Sequence, residues 1–342
     1  MPNKKINISE IAKNLGVSKS TVSKALNDSK EISEATKIKI QRYASKHHYR
    51  PNKLAINLKS GKTKTIGVIV PSIQNFFFAR VLRGIEKAAS SKNYSIITCM
   101  SYESIEKELN SVALLENGLV DGFIIALAEE TQVLKQIDHI KGIIEQDKPV
   151  VMFDRVTKDL ICNQVIVNDK EAVCMATKRL IELGCNDIAL VSTIDHLSVG
   201  KQRKKGYKKA LRESNLSIKE SHMITVKNTI IDIKIAKLLK KQKIDGILAL
   251  DEDAVFATYR AAKFVGITIP TDMAVIGYLS DKVAKNISPS LTTLNQNGIK
   301  LGVIATELLI DRLNKEQRGT FQKKYIKTTL LERESTKCFG IK

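Results

Sequence analysis

Residues 8–27 read Ile8-Ser9-Glu10-Ile11-Ala12-Lys13-Asn14-Leu15-Gly16-Val17-Ser18-Lys19-Ser20-Thr21-Val22-Ser23-Lys24-Ala25-Leu26-Asn27. Ile8, Ile11, Ala12 and Leu15 fall at i, i+3, i+4 and i+7, one face of a helix. Gly16 follows, a position open to positive φ where a helix can stop. Ser18 can cap a second helix by accepting from its free N–H groups. Val22, Ala25 and Leu26 then repeat the apolar face. Lys19, Ser20, Thr21, Ser23, Lys24 and Asn27 fill the other face with short donors and cations. A helix-turn-helix needs that division, because one face docks on the protein while the other enters the major groove. A third helix is expected after Ser33, its cap, with Ile40, Tyr43, Ala44 and His47 as the apolar stripe. His47 reads there as a packed core residue and not as a ligand. Tyr49-Arg50-Pro51 ends the helix, since the residue before a proline is pushed out of α space.

Charge is distributed in keeping with this reading. The 342 residues carry a net charge of +20, and residues 1–64 hold 15 Lys and Arg against 4 Asp and Glu. The remaining residues hold 41 against 32, so the excess is concentrated at the N-terminus. Lysine-rich surfaces also serve solubility, but a basic excess on a helix-turn-helix pattern points to a polyanion, and specifically to DNA. At 43% apolar and 27% charged the chain is globular, and its length calls for two or three domains. No apolar run approaches the ~20 residues of a membrane helix. Met1-Pro2-Asn3-Lys4-Lys5 is followed by a polar helix and not by an apolar signal core, so a cytoplasmic, nucleoid-associated protein without a membrane partner is expected. Cys99, Cys162, Cys174, Cys185 and Cys338 are scattered, without metal or disulfide spacing, and are expected as reduced, mostly buried thiols. No metal and no cofactor is expected.

Residues 52–64 read as a linker with a short helical centre, Asn52 as cap and Gly61 as terminator. So short a helix is not stable alone in water and needs something to pack against. From residue 65 the pattern changes to short Ile- and Val-rich runs separated by helices. The runs are 66–70, 95–99, 122–126, 150–153 and 165–167, then 188–192, 223–226, 246–250 and 274–277. Strands of this kind alternating with helices imply parallel sheets covered on both faces. Two such series imply two α/β lobes, and ligands of open α/β sheets bind beyond the carboxyl ends of the strands.

Several motifs in order then identify a resemblance. They are Leu15-Gly16-Val17-Ser18 with Thr21-Val22-Ser23-Lys24-Ala25-Leu26-Asn27, then Tyr49-Arg50-Pro51-Asn52 and Thr65-Ile66-Gly67-Val68-Ile69-Val70-Pro71. Asn75-Phe76-Phe77-Phe78, Arg203-Lys204-Lys205-Gly206-Tyr207, Pro289-Ser290-Leu291-Thr292-Thr293 and Arg333-Glu334-Ser335-Thr336 follow. The chain is similar, from about residue 6 to residue 336, to the lactose-repressor/galactose-repressor (LacI/GalR) family of bacterial transcription regulators. The resemblance implies an all-α helix-turn-helix headpiece (1–51), a hinge helix (52–64) and a core (65–338) like a type I periplasmic binding protein. That core is two doubly wound parallel-sheet lobes, about 65–166 with 295–323 and 167–294 with 324–338.

By the resemblance, Lys19, Ser20 and Lys24 occupy base-reading positions, and Lys24 stands where many relatives carry arginine. Lysine reaches guanine O6 and N7 but lacks the planar fork. Ser18, Thr21, Ser23 and Asn27 look like phosphate contacts that fix register on the duplex, and Asn52 is counted among the DNA-binding residues. Leu58 matches a hinge leucine that wedges between base steps in the minor groove; a dimer contact between two hinge helices is the alternative. For a small effector the resemblance implies Phe78, Asp154, Arg203, Asp251 and Gln296. Phe78 could instead be plain core, Asp251 a helix cap and Arg203 a surface cation. On the effector assignment, Arg203→Ala should abolish the response and leave operator binding nearly intact. Sugar-binding relatives often carry aspartate after the Gly-Tyr or Gly-Phe that ends the last lobe strand, but here Gly277-Tyr278 is followed by Leu279. Either Ser280 or Asp281 substitutes, or the effector is not a simple sugar.

The implied function is a sequence-specific regulator, most simply a repressor, whose operator affinity is set by a small, carbohydrate-like metabolite. A symmetric homodimer on a pseudo-palindromic double-stranded operator is expected, and no leucine heptad tail for tetramerisation follows the last motif. A solute-binding protein without gene control would not need the basic headpiece. No GxSxG, GxxxxGK[ST], HExxH or zinc spacing supports an enzyme.

Overall fold

Asn7 starts the first helix. Its side chain accepts from the N–H groups of Ser9 (2.9 Å) and Glu10 (3.0 Å), and the Asn7 N–H donates back to the Glu10 carboxylate at 3.0 Å. This reciprocal cap, which the apolar pattern did not disclose, satisfies donors left free at a helix start. Helix α1 (Ile8–Leu15) ends at Gly16 with φ 65°, the left-handed conformation that glycine adopts without a Cβ clash. Ser18 caps α2 (Lys19–Leu26), accepting from the Thr21 N–H at 3.0 Å, and Ser33 caps α3 (Glu34–Lys46). Ile11, Ala12, Val22, Ala25, Ile40 and Ala44 make the headpiece core. His47 does not join it. It is exposed, at the C-cap of α3, with its ring 4.5 Å from Tyr43. The helix has ended by then, so the periodicity that put His47 on the stripe no longer applies.

The computed structural model describes residues 6–49, 62–226, 230–314 and 320–337. The expected hinge helix, Asn52 and Leu58 lie outside the described residues. The chain divides into two units, Met1–Thr63 and Lys64–Lys342.

In the second unit, strands and helices alternate in two series. The first runs β1 (Thr65–Val70), α4 (Phe76–Ser91), β2 (Ser95–Met100), α5 (Ile105–Glu116), β3 (Gly122–Ile125), α6 (Glu129–Leu134), α7 (Asp138–Glu145), β4 (Val150–Phe153) and β5 (Asn163–Val167). The second runs α8 (Asp169–Glu182), β6 (Ile188–Ser192), α9 (Ser198–Glu213), β7 (Met223–Thr225), α10 (Ile231–Lys241), β8 (Gly246–Ala249), α11 (Glu252–Val265), β9 (Ala274–Gly277), α12 (Asp281–Asn286) and β10 (Thr292–Asn295). α13 (Gly298–Leu313), β11 (Lys323–Ile326) and β12 (Thr329–Leu331) complete the chain. The first sheet has order β11-β5-β4-β3-β1-β2 with parallel pairing throughout. The second has order β12-β10-β9-β8-β6-β7, parallel except for β12 on β10.

Three crossings join the lobes, after β5, after β10 and between β11 and β12. Val167 pairs with Ile326, so both strands continue past the breaks expected at 166 and 323. The crossings are laced to one another. The Asn168 side chain accepts from the Thr328 N–H at 3.1 Å, and the Asn168 N–H donates to the Ile326 carbonyl at 3.2 Å. Asn297 Nδ2 donates to the Lys327 carbonyl at 2.8 Å.

Helices α4 and α13 pack backbone to backbone on the first sheet. A Cβ on Gly84 would lie 2.1 Å from the Ile299 carbonyl oxygen, and one on Gly302 2.1 Å from that of Val81. Gly302→Ala should therefore force the helices apart and cost about 1–3 kcal/mol. Chemical denaturation reads this, and an unchanged midpoint would mean that the helices slide at no cost.

Candidate DNA-reading surface and ligand cleft

The α2 helix buries Val22 and Ala25 and turns its polar face outward. Ser18, Lys19, Ser20, Lys24 and Asn27 are exposed, while Thr21 and Ser23 are half-buried. Ser18 Oγ lies 2.9 Å from Thr21 Oγ1 in addition to its cap bond, and Asn27 Nδ2 donates to the Ser23 carbonyl at 3.0 Å. Both side chains thus have structural work before any duplex arrives. Lys24 forms an ion pair with Glu31 on the surface. An exposed pair of this kind is worth at most about 1 kcal/mol, so the ammonium is readily released.

The other five candidates come from distant parts of the chain and converge. Phe78, Asp154, Arg203, Asp251 and Gln296 all line one cleft of about 130 Å3 between the lobes. The wall comes from segments just beyond the carboxyl ends of β1, β4, β6, β8 and β9, where open α/β sheets bind ligands. Gln296 lies on the crossing after β10 and is half-buried.

Arg203 is not a surface cation. It is 5% exposed, and its Nε donates to Asp169 Oδ1 at 2.7 Å. Its Nη1 donates to the Leu250 carbonyl, and its guanidinium lies 3.8 Å from the Tyr278 ring centroid. Burial opposes its charge, but the Asp169 carboxylate more than restores it. Asp251 caps α11, as the alternative reading had it, while also lining the cleft. Its carboxylate accepts from the Ala254 N–H (2.9 Å), the Thr193 N–H (2.8 Å) and Thr193 Oγ1 (3.0 Å). Phe78 is both core and wall, 3% exposed and edge-on to Phe153 at 6.1 Å.

Asp154 differs from these in being unfinished. It is 7% exposed, and its φ of 54° is left-handed. Its Oδ1 is buried with no hydrogen-bond partner. Burial, reinforced by the nearby Asp169 carboxylate, pushes its carboxyl up to about 6. A buried acceptor without a donor is costly, so this oxygen is where a ligand's hydroxyl or N–H would gain most. On the same lobe, Arg80 of α4 likewise has a buried, unpartnered Nε and lines the cleft.

The sequence reading missed Asp169, Tyr278, Arg80 and the Arg155–Glu103 ion pair. Asp169 opens α8, where an acidic residue reads as ordinary helix-start chemistry, and nothing local announces its bond to Arg203. Among the described residues there is no group of three potential metal ligands, and no helix is long and apolar enough to cross a membrane.

Comparison with known proteins agrees with both halves. Residues 7–52 match bacterial regulatory proteins of the lacI family, and residues 177–336 match a periplasmic binding protein-like domain. The HTH-type transcriptional regulator RegA of Clostridium saccharobutylicum is 31% identical over 336 residues, 96% of this chain and 98% of that protein. A LacI family transcriptional regulator from Enterococcus faecium, with bound ribose, is 29% identical with a TM-score of 0.68, covering 79% of this chain and 98% of that one. The lac repressor dimer bound to operator and the anti-inducer ONPF shares the fold, with a TM-score of 0.85 at 20% identity over 97% of this chain and 99% of that one. A helix-turn-helix headpiece on a two-lobed parallel-sheet core, with identity sustained over nearly the whole length, makes this chain a member of the LacI family of DNA-binding transcriptional regulators.

Proposed function

We propose that this chain is a transcriptional repressor of the cytoplasm whose grip on a pseudo-palindromic operator is set by a small, carbohydrate-like metabolite held between the lobes. The observation that carries the reading is the cleft. Five residues chosen from sequence line it, and within it Asp154 presents a buried acceptor that the protein leaves unused. The ribose in the Enterococcus faecium relative supports a sugar-like occupant. In this reading residues 1–51 bind DNA, 52–64 form the hinge and 65–338 bind the effector, and the chain works as a homodimer with one headpiece per half-site. Lys19, Ser20 and Lys24 read bases. Ser18, Thr21, Ser23 and Asn27 fix register, Asn52 joins them in binding DNA, and Leu58 wedges the minor groove.

Effector binding changes the angle between the lobes and thereby the geometry of the paired hinges. By linkage, an inducer must bind the DNA-free state more tightly, and a corepressor the DNA-bound state. A mobility-shift assay on the region upstream of its own gene cluster tests this. Specific retardation that a metabolite alters is the expected result, and none with any candidate metabolite would refute it. In the same assay Lys24→Ala should cost about 1–3 kcal/mol at the operator and relax discrimination there. Equal losses on operator and random duplex would mean that Lys24 touches only phosphate.

A further inference from the structure

In the wall of the cleft formed after β9, the polar side chains beside Leu279 are already engaged within the protein. Leu279 lines it. Ser280 Oγ is spent capping α12, accepting from the Val283 N–H at 3.2 Å. Asp281 gives one carboxylate oxygen to Arg333 and the other to Lys285 at 2.8 Å. So both polar neighbours are already held in bonds of their own, and Leu279 itself offers a ligand no acceptor. The opposite lobe carries the unsatisfied groups, Asp154 Oδ1 as acceptor and Arg80 Nε as donor. The cleft thus sets an unsatisfied acceptor and donor on the first lobe against an apolar spot at Leu279 on the other, where the polar residues Arg203 and Asp251 are already tied to Asp169 and Thr193.

We propose that the effector is a deoxy sugar, which donates a hydroxyl to Asp154 and turns the carbon edge lacking a hydroxyl to Leu279. The proposal rests on the reading of the cleft as the effector site. A fully hydroxylated sugar in the same pose would bury a hydroxyl against Leu279 without a partner. An apolar wall rejects one added hydroxyl only moderately, by about 10- to 100-fold.

The test is calorimetric titration of the full chain with three pairs, D-galactose and 6-deoxy-D-galactose, L-mannose and 6-deoxy-L-mannose, and D-ribose and 2-deoxy-D-ribose. At least one deoxy sugar should bind, and at least tenfold more tightly than its parent. Leu279→Asp should erase or invert that preference. The wild-type preference is decisive by itself should that variant fail to fold. Equal or tighter binding of the parents, an unchanged preference in folded Leu279→Asp, or no binding by any of the six overturns the proposal. Repeating the titration with Asp154→Asn separates the two readings. A parent sugar whose binding needs Asp154 would refute the deoxy preference and leave the effector cleft standing. Binding indifferent to Asp154 would remove the cleft as well.

Discussion

Arg203→Ala should destabilise the protein by about 3–5 kcal/mol, the usual cost of breaking a buried ion pair from one side. The variant leaves Asp169, 4% exposed, without its cation, and Asp154 sits close enough to add its own repulsion. It also strands the Leu250 carbonyl and removes the cation stacked on Tyr278. Urea unfolding of the full chain measures the loss. A double variant, Arg203→Met with Asp169→Leu, should recover most of it, because the destabilisation comes from the orphaned charge and not from missing volume. Wild-type stability in the single variant would show that water or Lys side chains reach Asp169. The expectation from sequence, a silenced response with operator binding nearly intact, is revised accordingly. A silent Arg203→Ala protein does not by itself identify a ligand contact, since a loosened lobe would be silent too.

Asp154→Asn should act in the opposite sense, stabilising the ligand-free protein while ending its response. The folded carboxyl titrates at about 6 against 3.8 when unperturbed. A raised carboxylate pKa means that the folded state holds the proton more tightly than the unfolded one. Its contribution to stability is therefore complete below about pH 4 and is lost as pH rises through 6. Above that the ionised, unpartnered group costs on the order of 3 kcal/mol. Asparagine removes the charge and tolerates the positive φ. Melting at pH 8 should rise by several degrees in Asp154→Asn and hardly change at pH 4. A variant no more stable than wild type at pH 8 would contradict the assignment. In the wild type, effector affinity should weaken as pH falls below 6, where the acceptor becomes protonated.

What the sequence disclosed follows the range of the interactions. The headpiece was legible because Gly16, Ser18 and Ser33 act on neighbours within a turn or two. Strands that form buried apolar runs were legible, as in Val150–Phe153, whereas buried β10 was not, because Thr292 and Thr293 make no such run. β11 was not, because Lys323, Lys324 and Tyr325 are exposed and only Ile326 is buried. Edge strands of that kind carry no apolar run. In the cleft, Arg203 and Asp251 were nameable from motif and strand position, and the cap made by Asp251 was foreseen, yet its bonds to Thr193 and the partners of Arg203 were hidden. Arg203 meets Asp169 and Tyr278 through tertiary packing, for which no spacing rule exists. The lone oxygen of Asp154 is a property of everything around it.

The lacing of the three interlobe crossings has a mechanical consequence. Three independent strands would let the halves twist, shear and rock separately. Bound to one another through Asn168 and Asn297, they should resist relative twisting more than three separate strands would. If the proposed ligand binds in the cleft, its binding energy should then go chiefly into one coordinate, the opening angle. A sensor joined this way transmits an angle, and stiffness at its waist sets how faithfully that angle reaches the far end.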